Sequence, residues 1–348
     1  MPARADALAT FLTAPADPEA AEGLSALHGS PLFEIELDQA LKLRECSDKL
    51  RPGAPLLIGT DRDGRTPADL VDLCDVLLTT ATSPPRPWVD VTAWGVDEAV
   101  AAMDDVVGRN PVAASIYCQV LRLGERLTFA EALTVESLAY SALLAGREFR
   151  SWRSANPPRQ RRDDGASLVR LERLGDRLII SLARPAARNA LCARLRDDLA
   201  AALQLASLDD TMIAVELRGD GPSFSAGGDL DEFGLADDLA RAHLIRVHRS
   251  ATDLVHQLGS RMTVFVHGSA VGGGIEIAAA AANVRASPGA VFRLPEVSMG
   301  LIPGAGGTAS LPRRIGRHRA AFMGLSGLEV DAETALAWQL VDSVGTGG

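Results

Sequence analysis

The sequence predicts an α/β protein: a strand-and-helix core, a preceding helical segment and a small N-terminal α/β unit. Three observations carry this. From residue 167 to 348, apolar β-branched runs alternate with segments of helical period, as in a largely parallel sheet with helical crossovers. Residues 91–153 repeat apolar positions at helical spacing. Residues 1–90 contain short apolar runs bounded by polar turns, a third region with no visible chemistry of its own.

Taken in order, residues 1–30 are Ala-, Asp- and Pro-rich and read as a loosely held tail. Phe33-Glu34-Ile35-Glu36-Leu37 alternates and reads as a strand; 54–59 and 74–80 read as buried strands, and 69–72 as the end of a helix between them. Asp61-Arg62-Asp63-Gly64 opens like a calcium loop but lacks the third oxygen ligand and the closing Glu, so it is read as a polar turn. Pro84-Pro85-Arg86-Pro87 breaks the chain. Helices are expected at 96–108, 111–123 and 129–150, the last with Val135, Leu138, Ala139, Ala142 and Leu143 as its apolar face. Residues 154–166, with Pro157-Pro158 and three arginines, are a linker whose basic run reads as a solvated connector rather than a phosphate contact. Beyond it, 168–172 and 177–182 form a hairpin, 192–205 a helix, 212–218 a buried strand and 219–228 a loop. One long helix at 240–258, a strand at 262–267 and a helix from Gly273 complete the expected order.

The 348 residues suffice for two domains or one large one. A net charge of -10 argues against a nucleic-acid groove or a polybasic membrane surface. Cys46, Cys74, Cys118 and Cys192 are far apart, so disulfide and zinc frameworks are not expected and a reducing compartment is. His243, His248 and His256 lack the spacing of a helical metal site. No signal-peptide pattern or run of 18 apolar residues occurs, and a cytoplasmic location with no membrane association is the expectation.

Chemistry concentrates in one stretch. Gly272-Gly273-Gly274-Ile275-Glu276 places glycines at a helix start, where first-turn amides are unpaired and a ligand approaches the backbone closely. Such donors, with the helix dipole, suit a developing oxyanion. Glu276 lies one turn on; taken alone, it is equally an N-terminal carboxylate favoured by the dipole. Glu296 follows Pro295, at the end of an extended segment, and taken alone is equally a turn glutamate. The loop Ile302-Pro303-Gly304-Ala305-Gly306-Gly307-Thr308 follows, and Ser225-Ala226-Gly227-Gly228-Asp229 precedes both. No complete GxGxxG, P-loop lysine or GxSxG elbow is present.

In order and spacing these motifs resemble the crotonase (enoyl-CoA hydratase/isomerase) superfamily over residues 169–344. The resemblance implies a spiral ββα superhelix, an acyl-CoA thioester substrate and no metal or redox cofactor. It implies Ser225 and Gly273 as oxyanion amides, Glu276 and Glu296 as acid-base pair, and Gly304 as a holder of the attacking water. Arg184-Pro185-Ala186-Ala187-Arg188-Asn189-Ala190-Leu191 resembles the family's CoA-contacting segment, with Arg188 and Ala190 as contacts. Ala226, Gly227, Gly228 and Asp229 complete the implied substrate wall. Having both glutamates favours an enoyl-CoA hydratase; a double-bond isomerase or other acyl-CoA enolate chemistry, and a non-catalytic acyl-CoA-binding protein, are the alternatives. A homo-oligomer, trimer or hexamer, is also implied.

The family continues past the equivalent of Leu340-Val341-Asp342 into closing helices, whereas here residues 96–152 resemble that region. A circular permutation is therefore expected, with the closing helices moved ahead of the core. The rival is an unrelated helical domain beside a truncated core completed by a neighbouring subunit.

Overall fold

A computed structural model describes residues 25–28, 31–37, 55–68, 72–159 and 167–345. Most of the expected tail at 1–30, of the helix end at 69–72 and of the linker therefore lies outside the described residues, as does Cys46.

The first four strands, β1 (Leu32–Glu36), β2 (Leu56–Asp61), β3 (Val76–Thr79) and β4 (Val89–Asp90), form a parallel sheet in chain order. β2 and β3 are buried along their whole length, the polar Thr60 and Asp61 at the end of β2 included. Asp75 ties this sheet to the helical segment: Oδ2 accepts from Leu57 N at 3.0 Å and Oδ1 from Arg122 Nε at 2.8 Å.

Four helices come next: α1 (Val96–Arg109), α2 (Pro111–Gly124), α3 (Phe129–Leu144) and α4 (Arg147–Ala155). Pro111 begins α2 at a position where no amide hydrogen is needed. A capping box of Thr128 and Glu131 opens α3. The single helix expected at 129–150 is two, separated at Gly146, where a Cβ would lie 2.9 Å from Leu143 O. The buried face of α3 also differs from expectation. Leu143 is buried and Val135 and Ala139 half-buried as expected, but the face runs through Leu133, Glu136, Ser137 and Tyr140, and Leu138 is 54% exposed.

The core begins with the antiparallel pair β5 (Val169–Leu174) and β6 (Arg177–Leu182) and helix α5 (Ala193–Leu208). β7 (Ala214–Gly219) alternates in burial instead of being uniformly buried. The helix expected at 240–258 is interrupted: α6 (Leu239–His248) ends and Ser250 caps α7 (Ala251–Gln257), its side chain accepting from Asp253 N. Then come β8 (Met262–Val266), β9 (Ser269–Val271), α8 (Gly273–Ala278), β10 (Asn283–Ala286) and β11 (Val291–Arg293). Helices α9 (Gly307–Ile315) and α10 (Arg317–Ser326), strand β12 (Val330–Asp331), helix α11 (Ala332–Ala337) and strand β13 (Ser343–Val344) close the described chain.

Two sheets organise this core. The larger has the order β13-β10-β8-β7-β6-β5, parallel from β6 to β13; the smaller is β12-β11-β9. Parallel bridges Ser225–Ala270 and Leu191–Gly228 extend the second layer. Each turn of chain thus gives a long strand to one layer and a short extended segment to the other. The short segments carry Gly228, Gly273 and Glu296 at or just beyond their ends, which gathers them into one place.

Candidate active site

A cavity of 580 Å³ opens between the second layer of the core and helices α3, α5, α6 and α7. Gly228, Gly273, Glu276, Glu296 and Gly304 all face it. Residues from separate turns of the core thus meet on one wall.

At the start of α8, Gly272 has φ 47°, and a Cβ there would collide with Glu296 Oε1. Glycine is required twice over, for the left-handed backbone and for the approach of the carboxylate. Glu276 stands one turn along α8 and is 1% exposed. Its Oε2 accepts from Ala305 N at 2.7 Å and Gly307 N at 2.9 Å. Glu296 begins a short 3₁₀ turn after β11 and is 8% exposed; its Oε2 is buried and has no partner among the described residues.

Burial raises both carboxyls, but their hydrogen bonding differs. Burial raises Glu276 to about 7, opposed by the amides of Ala305 and Gly307, which stabilise its ionised form. Burial, then the nearby charge of Glu276, raises Glu296 well above the ordinary carboxylate range, with only minor opposition. Two amides from another loop stabilise ionised Glu276, whereas Glu296 has only its own backbone amide and an unpartnered oxygen, so a proton shared by the pair is favoured on Glu296.

The oxyanion pair needs correction. Ser225 is fully buried, and its amide donates to Ser269 O at 3.1 Å, so that N–H is committed to the sheet and does not face the cavity. Its hydroxyl donates to Asn189 O at 2.8 Å and accepts from Gly227 N at 3.2 Å. Gly228 stands where the free donor is: it faces the cavity, its N lies 3.8 Å from the position of a Cβ on Gly273, and neither amide has an acceptor among the described residues.

The remaining expected contacts divide. Gly304 lies under the Tyr140 ring, where a Cβ would come within 2.5 Å of it. Asp229 faces the cavity but is paired with Arg184 at 2.6 Å. Ala190, Ala226 and Gly227 do not line it. Ala226 N donates to Arg188 O, Leu191 N donates to Gly227 O, and Ala190 O accepts from Arg184, so all three stitch the loop together. Arg188 is exposed at φ 49°, outside the cavity wall, on the turn fixed by the buried Asn189 side chain.

Sequence reasoning passed over Glu136. This carboxylate on α3 is 2% exposed and faces the same cavity. Its Oε1 accepts from Gly306 N, and its Oε2 from Thr308 N and Thr308 Oγ1, each at 2.7 Å. Four consecutive amides therefore alternate between two glutamates: 305 and 307 to Glu276, 306 and 308 to Glu136. Burial, then the charge of Glu276, raises Glu136 to about 8. The detectable signal was a glutamate at a helical spacing from Leu133 and Tyr140, on a face too apolar for an unpartnered charge.

The enoyl-CoA hydratase/isomerase family profile matches residues 177–346. The 2,3-dehydroadipyl-CoA hydratase of Escherichia coli is 36% identical over 174 residues, covering 48% of this chain and 65% of that protein. A Bacillus subtilis protein named putative enoyl-CoA hydratase/isomerase is 38% identical over 168 residues, 48% of this chain and 64% of that one. A crystal structure of enoyl-CoA hydratase from Thermoplasma volcanium is 34% identical, covers 52% of this chain and 73% of that one, and has a TM-score of 0.47. Over the residues that this profile matches, the chain belongs to the enoyl-CoA hydratase/isomerase family. It spans just under two thirds of the length of these two curated relatives.

Proposed function

We propose that this chain adds water across the 2,3 double bond of an enoyl-CoA thioester. The observation that carries the reading is the pair of buried carboxyls, one held by two amides and one with an unpartnered oxygen, set on one wall beside two unpaired amides. The Gly228 and Gly273 amides hold the thioester oxygen, so that negative charge developing there is met by fixed donors in a water-poor site. That polarisation makes Cβ electrophilic. Glu276, ionised near neutrality, takes a proton from water as its oxygen bonds to Cβ. Glu296, protonated, gives its proton to Cα. One water is consumed, and proton exchange from Glu276 back to Glu296 restores the starting state. The reading calls on no metal or redox cofactor, because the two carboxyls and the amides supply every proton and charge it needs.

Two assignments accompany it. Helices α1–α4 do in this chain what closing helices do elsewhere in the family, in a circularly permuted order; the support is that Glu136 and Tyr140 reach the loop around Gly304 within one chain. Arg188, exposed on the turn that precedes the cavity-lining Leu191, meets the CoA phosphates. A soluble cytoplasmic homo-oligomer, trimer or hexamer, is the expected form, which light scattering checks. Among the described residues no helix is long and apolar enough to cross a membrane.

The deciding experiment is mass spectrometry of a panel of 2-enoyl-CoA thioesters incubated with the protein and its Glu276→Gln and Glu296→Gln variants. The expected result is a gain of one water, lost in both variants. Cα or Cγ exchange in heavy water without a hydroxy product would replace hydration by double-bond isomerisation. Binding with neither reaction would leave an acyl-CoA-binding protein.

A further inference from the structure

Among the described residues, the cavity wall carries a cation with no carboxylate in ion-pair contact, the charge of Glu136 acting on it only at longer range. Arg246 on α6 faces the cavity, half-buried, and forms no ion pair within 4.0 Å among those residues. Its Nε donates to Ser137 Oγ at 3.1 Å and its Nη2 to the Ser141 hydroxyl. The guanidinium lies 4.7 Å from the centroid of the Tyr140 ring. Burial lowers its proton affinity, the mark of a cation stripped of water without full compensation.

Most other charged side chains on the wall are paired or hydrogen-bonded. Arg249 and Arg196 both pair with Asp197. Asp229 pairs with Arg184, and Glu232 accepts from Ala193 N. Glu136, the carboxylate nearest in sequence to the serine that holds Arg246, spends both oxygens on residues 306 and 308. Tyr140 separates the guanidinium from the reacting centre: it touches Arg246 on one side and leaves no room for a Cβ on Gly304.

Partly buried cations are retained where something negative pairs with them. Arg246 is held in position by serine hydroxyls and an aromatic ring, neither of which cancels its charge, one aromatic side chain away from Gly304. We infer that Arg246 is a specificity residue that receives the terminal carboxylate of a short ω-carboxyacyl group on the CoA thioester. The inference rests on the acyl-CoA reading above. A site built to pair an anion also rejects the neutral isostere, because the cation is then left desolvated and alone.

The test is equilibrium binding of two saturated thioesters, adipyl-CoA and hexanoyl-CoA, to the wild type, Arg246→Met and Arg246→Lys. They share the CoA portion and chain length and differ in the terminal carboxylate. The expected result is at least roughly tenfold tighter binding of adipyl-CoA by the wild type, as for a charge-assisted hydrogen bond. Arg246→Met should lose that preference while keeping its affinity for hexanoyl-CoA, and Arg246→Lys should keep part of it. Equal affinities in the wild type would overturn the inference. So would a parallel loss for both ligands in Arg246→Met, since a guanidinium contacting the CoA phosphates, or merely joining α6 to α3, would not tell them apart. The mass-spectrometric panel separates this from the hydration reading: crotonyl-CoA hydrated without any adipyl preference refutes the carboxylate site alone, whereas adipyl preference with no hydration of any thioester refutes hydration alone.

Discussion

Glu136→Ala removes one carboxylate and strands three donors. Gly306 N, Thr308 N and the Thr308 hydroxyl lose their acceptors in a fully buried place. Leaving a buried donor unpaired costs about 1–3 kcal/mol. Part of that is offset, because the lost group is itself held against its solvation, with its proton affinity raised to about 8. A net loss of about 2–4 kcal/mol and a Tm lower by several degrees are expected. Activity carries the sharper signal. The stretch released from Glu136 also presents the Ala305 and Gly307 amides to Glu276. With those bonds loosened, the influence that lowers Glu276 weakens and its pKa rises. If Glu276 acts ionised, the acidic limb of kcat/KM moves to higher pH, and kcat falls by about a hundredfold through misplacement of the base. Enoyl-CoA hydration followed from pH 5 to 9, with thermal denaturation alongside, reads all three effects. Glu136→Gln, which keeps one acceptor oxygen, should show a smaller shift in the same direction. A lower Tm with an unmoved acidic limb would show that Glu136 serves stability alone, and the positioning role would be withdrawn.

Gly304→Ala sets a methyl 2.5 Å from the Tyr140 ring, so α3 must shift outward; we expect at least tenfold lower kcat/KM, and unchanged kinetics would place the ring elsewhere in solution. Asp75→Ala removes the carboxylate that pairs with Arg122 and accepts from Leu57 N, leaving Arg122 only the Asp72 and Leu73 carbonyls, and should cost about 2–4 kcal/mol in a urea titration; a loss below about 0.5 kcal/mol would mean the N-terminal sheet is not coupled to the helices through this pair. Glu276, Glu136 and Glu296 all hold protons more tightly folded than unfolded. Their contribution to stability is therefore full below an unfolded pKa near 4.3 and is lost as pH rises, through about 7 for Glu276 and about 8 for Glu136. Denaturation midpoints should fall from pH 5.5 to pH 8.5, and Glu296→Gln should flatten the decline; an identical slope in that variant would contradict the assignment.

Glycine and proline made much of the core readable. A turn such as Gly272–Gly274 has few sequence solutions, so its local geometry and the helix after it could be read directly. The same transparency misled at the oxyanion pair. Ser225-Ala226-Gly227-Gly228 announces a tight loop, but which amide faces the ligand depends on which is taken by the neighbouring strand, and Ser269 stands more than forty residues away. Long helical periods were visible, but breaks at Gly146 and Arg249 were not, because apolar spacing continues across them. Glu136 escaped because periodicity ranks faces by apolarity. A polar residue whose acceptors are met from 170 positions away looks, in one dimension, like a surface residue. The N-terminal strands at 33–37 and 74–80 were found, yet nothing in them predicted that Asp75 would bind both its own sheet and α2.

The alternation of amides 305–308 between Glu276 and Glu136 has a bearing on the order of events during synthesis. A ribosome delivers Glu136 well before it delivers the loop that Glu136 holds, and the helix bearing it has its own local cap at Thr128. When the loop emerges, its two acceptors are already upstream, one on α3 and one on α8. The reactive turn is thus the last-made part of its own clamp, and the interval in which the growing core displays four unclaimed backbone donors is shortened to the time that turn takes to dock.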